Sequence, residues 1–157
     1  MADSQKAILK VVARLRDGKL VKGYLADPAP SNFENLVKEA PYSFPTEIVL
    51  RPAESTETIS VPLESLKALF FVKTFEGRKE YKEVKFFDKN PPIKGLWVRV
   101  EFSDHESLEG VVQNSIHYLV HPGFFLKPPD PQSNNAILYV VKSSLVDFRV
   151  LGVRMNY

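Results

Sequence analysis

The sequence predicts an all-β protein in which two tandem five-stranded small barrels follow one another along 157 residues. Residues 11–25, VVARLRDGKLVKGYL, and residues 98–112, VRVEFSDHESLEGVV, share one pattern at a constant offset of 87 residues, which indicates an internal duplication. Each copy also contains short runs in which apolar and polar positions alternate. This period of two is typical of strands that bury one face.

The duplication continues beyond the first hairpin of each copy. Leu50-Arg51-Pro52 matches Leu126-Lys127-Pro128 at an offset of 76 residues, and Ser65-Leu66 matches Ser144-Leu145 at an offset of 79. The offset falls because the first copy carries an insertion, and it rises again because the second copy has a longer loop. The expected units are a first barrel at 1–72 with an insertion at 28–45, a connector at 73–95 and a second barrel at 96–157.

The first copy begins with a hairpin. Val11, Ala13 and Leu15 alternate with outward positions, and Asp17-Gly18 supplies the residues that a tight turn needs. Gly23 lies inside the returning strand, where glycine is costly unless the strand bends or another backbone comes close. Because Gly110 recurs at the matching position, both hairpins are predicted to curl sharply. The other strands of this copy are expected at 46–50, 58–61 and 66–72.

The insertion and the connector differ in character. The insertion is rich in proline, and a short helix is predicted over 33–39. The connector mixes charges of both signs with aromatic side chains, which are expected to hold it against a barrel by their burial. The alternative is a charged surface linker. The aromatic residues concerned are Phe75, Tyr81, Phe86 and Phe87.

The second copy repeats the strand pattern, with strands expected at 96–103, 108–113, 123–127, 137–141 and 145–151. Two sets of about five short, bent strands favour two small barrels, and a single all-β sandwich is the alternative. Each barrel is expected to have its own core. The predicted core residues are Val11, Ala13, Leu15, Val21 and Leu66 in the first barrel, and Val98, Val100, Phe102, Leu108 and Leu145 in the second.

Composition narrows the functional classes. With 21 basic and 19 acidic residues the net charge is +2, too small to indicate a nucleic-acid or membrane partner by field strength alone. The chain has no cysteine, and its N-terminus lacks the apolar core of a signal peptide. The longest uncharged run, 113–126, is shorter than the ~18 residues of a membrane span. We therefore expect a cytoplasmic protein of bacterial type that does not enter the membrane.

Two resemblances follow from these residues. The order of signals, with Asp17-Gly18 between paired strands, Gly23 in the second strand and Ser65-Leu66 at the entry to the last, resembles SH3-like and Sm-like small barrels. The stretches LKALFFVKTFEG at 66–77 and HPGFFLKPPDPQSNNAILYVV at 121–141 are similar to an uncharacterised bacterial family of duplicated small barrels. In that family the barrels stand alone or beside signalling modules such as the PilZ domain.

The family resemblance implies a cytoplasmic, non-catalytic bacterial module. One departure from its pattern lies in the second hairpin, where Asp104-His105 replaces Asp-Gly and places a side chain at a turn position that prefers glycine. The insertion of the first copy is the other departure. Small barrels serve RNA binding, peptide binding and scaffolding, so the fold alone assigns no function.

The segment PGFFLKPPDPQSNN, residues 122–135, is the first candidate for a ligand or partner site. Phe124 and Phe125 are adjacent on a strand, so one is expected to face the core and the other to face outward. The short polar side chains that follow can bind a ligand or cap their own backbone through Asx turns, and both interpretations stay open. The candidate residues are Phe124, Phe125, Asp130, Gln132, Ser133, Asn134 and Asn135.

The outward positions of the two hairpins carry opposite charges, which gives a second candidate surface. Its basic-face residues are Arg14, Arg16, Lys19 and Lys22, and three of them correspond to glutamates in the second copy: Arg14 to Glu101, Lys19 to Glu106 and Lys22 to Glu109. The basic face is a candidate for binding a phosphate backbone. The complementary charges predict contact between the two barrels of one chain or head-to-tail association between chains, and two solvated faces are the alternative.

No constellation of catalytic or metal-binding residues is evident. His117 and His121 are the only close histidine pair and lack further ligands at a structured spacing. Ser143 and Ser144 lack a nucleophile elbow, and there is no glycine-rich phosphate loop. We therefore expect no enzyme activity, metal or cofactor. The predicted function is a non-catalytic interaction or regulatory module that binds a protein partner, with RNA binding by an Sm-like barrel as the alternative.

Overall fold

The computed structural model describes residues 9–26, 44, 46–76, 81–87, 95–113, 120–130 and 132–154. The helix predicted over 33–39 lies outside them. The described residues form ten strands, close to the positions that the sequence predicts. The strands are β1 Lys10–Leu15, β2 Leu20–Leu25, β3 Glu47–Pro52, β4 Ile59–Pro62, β5 Leu66–Val72, β6 Gly95–Phe102, β7 Ser107–Val112, β8 Gly123–Leu126, β9 Asn135–Val141 and β10 Leu145–Arg154.

The strands form two sheets, and the all-β prediction is confirmed. Seven strands pair in the order β4-β3-β2-β1-β5-β9-β8, and three pair in the order β10-β6-β7. Short 3-10 turns, Leu63–Ser65 and Lys142–Ser144, lead into β5 and β10. Within the described ranges neither sheet closes on itself, so the two closed barrels remain a prediction.

The two repeats pair their strands in the same register. In the first hairpin of each copy a valine faces a glycine, Val11 opposite Gly23 and Val98 opposite Gly110. The pairing of β3 with β4 matches that of β8 with β9, and the pairing of β1 with β5 matches that of β6 with β10, at the offsets found in the sequence. The internal duplication is therefore present in the backbone pairing as well as in the residues.

The contact between the second and third strands is weaker in the second repeat. Three residue pairs join β2 to β3, from Gly23 opposite Pro52 to Leu25 opposite Leu50. The corresponding contact between β7 and β8 is an isolated bridge from Val111 to Lys127. This bridge nevertheless places β8 and β9 beside β7, where the duplication predicts them.

Pairing between β5 and β9 joins the two repeats into one continuous sheet, with Leu69 opposite Tyr139 and Phe70 opposite Leu138. Alternate side chains of a strand point to opposite faces of its sheet. Leu69 and Tyr139 therefore enter one core, and Phe70 and Leu138 enter the other. Each repeat thus supplies part of the wall of its neighbour's core.

The two predicted sets of core residues separate into two clusters as expected. The first core contains Val11, Ala13 and Leu66, with Leu15 and Val21 packed against it. The second core contains Val98, Val100 and Phe102, with Leu108 and Leu145 packed against it.

Close backbone approach explains the two matched glycines. A Cβ atom built on Gly23 would lie 2.3 Å from the carbonyl oxygen of Arg51, on the neighbouring strand β3. A Cβ atom on Gly110 would lie 2.3 Å from Cδ2 of Leu126. Neither position has room for a side chain, which is the condition under which glycine inside a strand is favoured.

The described parts of the connector lie against both repeats. The ring of Phe75 meets Tyr24 edge-on at 5.4 Å, and the ring of Phe87 meets Trp97 edge-on at 6.0 Å. Phe86 is exposed, and Phe75, Tyr81 and Phe87 are half-buried. The connector aromatics therefore contact the repeats as predicted, but none is fully buried.

No helix that the structure describes is both long and apolar enough to cross a membrane.

Candidate interaction surface

The polar loop predicted as a binding site is folded onto the connector. One carboxylate oxygen of Asp130 accepts hydrogen bonds from the Tyr81 hydroxyl at 2.5 Å and from the Val84 backbone N–H at 3.1 Å. The other oxygen accepts the backbone N–H of Gln132 at 2.9 Å, which is an Asx turn. Asp130 is buried, so these bonds offset the cost of removing its charge from water.

Ser133 and Asn134 extend this attachment. The Ser133 hydroxyl donates to Oε1 of Glu83 at 2.5 Å and accepts the backbone N–H of Asn135 at 3.0 Å. The Asn134 carboxamide accepts the backbone N–H of Thr74 at 2.9 Å and donates to its carbonyl at 2.8 Å. These contacts favour backbone capping and connector attachment over ligand binding, and a ligand role for the loop stays a prediction.

Both phenylalanines of the candidate segment pack against a core. Phe124 lies in the second core with its ring 5.4 Å from that of Phe148. Phe125 packs against the first core, 5.0 Å from Tyr139 and 6.1 Å from Phe71. The expectation that one ring faces outward is wrong, because β8 lies in a sheet with a core on each face.

Two arginines of the predicted basic face bridge the repeats. Arg14 Nη1 lies 3.3 Å from Oε1 of Glu106 in the second hairpin. Arg16 donates from Nη1 to the carbonyl oxygen of Glu64 at 3.1 Å and from Nη2 to that of Ser143. The predicted attraction between the hairpins of one chain is therefore present at Arg14 and Glu106.

The two lysines of the basic face do not meet their matched glutamates. Lys19, with a side chain 79% exposed, lies 3.9 Å from the Asp17 carboxylate beside it. Lys22 donates to the carbonyl oxygen of Phe75 at 3.0 Å. Glu109 is bound inside the second repeat, so the complementary charges contribute one contact between the repeats and not three.

A buried cation that the sequence analysis missed lies between the repeats. Lys67 Nζ donates to Oδ2 of Asp104 at 2.6 Å and to Oε1 of Glu106 at 2.5 Å, and it lies 4.7 Å from the ring centroid of Phe102. Its side chain is 6% exposed. The available signal was a single lysine within the apolar strand LKALFFV, because such a charge is buried only where partners compensate it.

The charges of this cluster set the acidity of its carboxyls. The hydrogen bond from Lys67 holds the pKa of Asp104 below its usual range. Burial acts to raise the pKa of Glu106, but the hydrogen bond and charge of Lys67, with the charges of Arg14 and Lys85, lower it overall. Both carboxylates are therefore ionised at neutral pH and balance the buried ammonium group.

Glu109 is a second buried carboxylate that the sequence analysis did not identify. Its Oε1 accepts the backbone N–H of Phe87 and the indole N–H of Trp97, both at 3.0 Å, and its Oε2 accepts two bonds from Arg99. Burial acts to raise the pKa of Glu109, but these bonds lower it overall. This carboxylate therefore holds the connector against the outer face of β6 and β7.

Matched positions in β5 and β10 differ sharply in exposure. All seven residues of β5 are buried, because β1 covers one edge of the strand and β9 covers the other. In β10 the outer edge pairs with no strand that the structure describes. Four hydrophobic side chains define what we call the β10 edge: Val146 at 61% exposure, Val150 at 48%, Leu151 at 40% and Val153 at 54%.

The counterparts of this edge are buried in the first repeat. At an offset of 79 residues, Phe71 corresponds to Val150 and Val72 to Leu151, and both are buried. Nine large hydrophobic side chains are exposed among the residues that the structure describes, and four of them lie on β10. Exposed apolar side chains concentrated on one strand are a feature of interaction sites.

A small cleft of about 150 Å³ lies between the connector and the two hairpins. Its lining mixes the charged groups of Arg14, Lys85 and Glu106 with the apolar groups of Phe70 and Leu138. Arg14 and Lys85 both contact Glu106, so the charges in this cleft are already paired within the protein. In the described ranges no group of three or more His, Asp or Glu residues is placed to hold a metal ion.

Comparison with known proteins gives one match. The model of a family of unknown function, DUF6982, matches residues 7–152 and so spans both repeats and the connector. No curated protein and no solved structure matches the chain. The match confirms that the chain resembles an uncharacterised family. The family's sequence motif and its association with PilZ domains stay predictions.

Proposed function

The chain belongs to the DUF6982 family, whose function is unknown, and we propose from its geometry that it is a non-catalytic interaction or regulatory module. It binds a protein partner at the β10 edge. One observation carries this proposal: a strand whose matched copy is fully buried by a neighbouring strand presents four hydrophobic side chains to solvent.

An exposed edge strand suits a protein partner for two physical reasons. Its outward N–H and C=O groups pair with an added strand, which gives affinity through main-chain hydrogen bonds. Its exposed side chains give apolar area and specificity. Proteins that avoid such pairing place charges or proline on their edges. Strand β10 carries one exposed ion pair, Arg149 with Asp147, beside the valines and the leucine of the β10 edge.

We also propose that the two repeats are small barrels. The equal register of the repeats supports two bent five-stranded units of SH3-like or Sm-like type, each closing over its own core. A bacterial, cytoplasmic origin is part of the proposal: it is what the family resemblance implies, and a chain without cysteine suits a reducing compartment.

RNA binding remains the alternative, and the contacts of the basic face weaken its support. Arg14, Arg16 and Lys22 donate to acceptors of the protein itself, whereas Lys19 is exposed beside Asp17. A phosphate backbone would have to compete with these acceptors. RNA binding through this face predicts an affinity that falls steeply with salt concentration.

Affinity capture from a bacterial lysate with three baits tests the proposal. The baits are the wild-type chain, Val150→Lys at the β10 edge, and Leu20→Lys at an exposed hydrophobic position on β2. We expect one protein to be retained by wild type and by Leu20→Lys and to be lost with Val150→Lys. Further copies of this chain are left out of the comparison, because the β4 strand of every bait is intact. Retention of the same other proteins by all three baits would contradict the proposal, and recovery of RNA in place of protein would favour the alternative.

A further inference from the structure

We infer that the partner at the β10 edge is β4 of a second copy of this chain, so that copies associate head to tail. The inference rests on the proposed function, because it names the occupant of the same edge. The observation behind it is that the chain already contains one such contact, between β5 and β9. The corresponding edges of β4 and β10 pair with no strand that the structure describes.

The internal contact defines the geometry. The last strand of the first repeat, β5, pairs antiparallel with the fourth strand of the second repeat, β9. Because the repeats share one register, the last strand of the second repeat is β10 and the fourth strand of the first repeat is β4. Each of these two strands lies at one end of its own sheet, β4 in the seven-stranded sheet and β10 in the three-stranded sheet. The bridge from Val111 to Lys127 joins the other ends of the two sheets.

Residues of β4 and β10 are exposed where their counterparts in the internal contact are buried. Leu138 and Tyr139 of β9 are buried beside β5, whereas their counterparts in β4, Ile59 and Ser60, are exposed. Val150 of β10 is exposed, and its counterpart Phe71 is buried beside β9. Ile59 and the four residues of the β10 edge together make five of the nine exposed large hydrophobic side chains in the described ranges.

The internal register fixes the intermolecular one. Leu69 faces Tyr139 and Phe70 faces Leu138 across the internal contact. Adding the repeat offset of 79 to Leu69 gives Phe148, and subtracting it from Tyr139 gives Ser60. Phe148 of one copy is therefore placed opposite Ser60 of another. By the same shift Arg149 lies opposite Ile59, and Val150 lies opposite Thr58.

Features that protect an edge do not block this register. Pro62 in β4 lacks an N–H group, but the internal contact ends at Val140, whose counterpart Val61 precedes the proline. Val146 lies in a bulge of β10, and its counterpart Lys67 lies in the same bulge of β5, which nonetheless pairs with β9. Residues 147–150 of β10 and residues 58–61, at β4, can therefore form the ladder that the internal contact forms, and the second bulge of β10, at Leu151, lies beyond them.

Head-to-tail contacts use two different surfaces of each chain. A contact of this kind is heterologous, so it propagates until it closes into a ring or extends as a filament. Blocking either edge leaves the other intact. Ile59→Lys therefore removes the β4 side and keeps β10, whereas Val150→Lys removes the β10 side and keeps β4.

Sedimentation velocity across a range of concentrations tests the inference with these two variants. Wild type is expected to assemble beyond two copies, and each variant alone to sediment as a single chain of 17.8 kDa. An equimolar mixture of the two is expected to form complexes of two chains and no larger species. Leu20→Lys is the control and should assemble like wild type. A wild type that stays a single chain at every concentration, or an Ile59→Lys variant that still assembles, would overturn the inference.

Disulfide trapping provides a second measurement that does not depend on charged variants. The chain has no cysteine, so Thr58→Cys in one copy and Val150→Cys in another introduce one thiol each. Opposed residues of an antiparallel pair lie ~4.5–5.5 Å apart, close enough to form a disulfide. We expect a crosslinked dimer from this mixture and none from Thr58→Cys mixed with Leu20→Cys. Equal crosslinking of both mixtures would overturn the inference.

The two proposals fail in different ways. A wild type that stays a single chain, combined with a host protein that Val150→Lys loses in the capture experiment, overturns self-association and keeps the β10 edge as a binding site. Loss of no partner with Val150→Lys, combined with a single-chain wild type, overturns both.

Discussion

Lys67 Nζ lies 2.5 Å from Oε1 of Glu106 and joins the last strand of the first repeat to the first hairpin of the second. The same ammonium group binds Asp104 at 2.6 Å. The contact between repeats therefore combines the apolar pairing of β5 with β9 and a largely buried ionic cluster. An ionic cluster of this kind favours one relative placement of the repeats, because a buried ammonium group is stable only beside its carboxylates.

Lys67→Met is expected to destabilise the protein by about 1–3 kcal/mol, because it removes the ammonium group that binds Asp104 and Glu106 and leaves Glu106 with the more distant Arg14 and Lys85. Methionine keeps the length of the side chain over Phe102, so the loss reports the charge. Urea unfolding measures the difference in the free energy of unfolding. The control is Lys19→Met, which removes an exposed cation and should change stability by less than about 0.5 kcal/mol. Equal effects of the two substitutions would show that the Lys67 cluster does not contribute to the free energy of unfolding.

Acid unfolding should depend on the same cluster. The folded-state pKa values of Asp104 and Glu106 lie below their ordinary values of 3.8 and 4.5, so the unfolded chain binds more protons at acid pH. Their contribution is complete above about pH 5.5, begins to fall near the ordinary values of 4.5 and 3.8, and is lost as the pH falls through the lower folded-state pKa values. Lys67→Met should make the free energy of unfolding less dependent on pH between about 6 and 3. A variant with the pH dependence of wild type would contradict this assignment.

Glu109→Gln is expected to cost about 2 kcal/mol, because a neutral amide cannot accept all the bonds that Phe87, Trp97 and Arg99 donate. Trp97 is the only tryptophan, so its fluorescence follows unfolding and reports the loss of the indole contact. Glu101→Gln, at a half-buried position of the neighbouring strand β6, is the matched control. An unchanged denaturation midpoint for Glu109→Gln would show that the connector is not held there.

The two hairpin turns carry different residues at the same left-handed position, so each residue can be substituted by the other. His105 has φ of 73°, and Gly18 at the matching position has φ of 92° with no atom near its missing Cβ. A left-handed backbone disfavours side chains, so His105→Gly should stabilise the protein by roughly 0.5–1 kcal/mol and Gly18→His should destabilise it by a similar amount. Thermal unfolding of both variants and wild type measures the two changes. Changes in the same direction would contradict the assigned turn conformation.

The residues predicted most of the fold because the duplication appears in both sequence and pairing. The offsets of 76, 79 and 87 residues reappear as equal registers in β1 to β5 and β6 to β10. The close approach at Gly23 and Gly110 and the left-handed turn at His105 also follow from local chemistry. The turn and the glycine positions could be predicted because they depend on residues that are close together in the sequence or that match between the repeats.

Contacts between the repeats could not be predicted in the same way. A strand buried on one face and a strand buried on both faces differ only in the polarity of alternate positions, and Phe124-Phe125 fits either. Strand periodicity shows which side chains of a strand are buried, but it does not show which strand edges pair. The pairing of β5 with β9 could therefore not be predicted from it. The partners of Lys67 lie 37 and 39 residues away along the chain, so its burial depends on the same contact.

Native-state hydrogen exchange of β5 and β10 at increasing protein concentration tests most directly whether the β10 edge is an open binding surface. The account predicts slow exchange for amides 66–72 at every concentration. The outward amides of 146–153 should exchange rapidly in dilute protein and become protected as the concentration rises. Slow exchange of those β10 amides in protein that sediments as a single chain would contradict the account, because the edge would then already be covered within that chain.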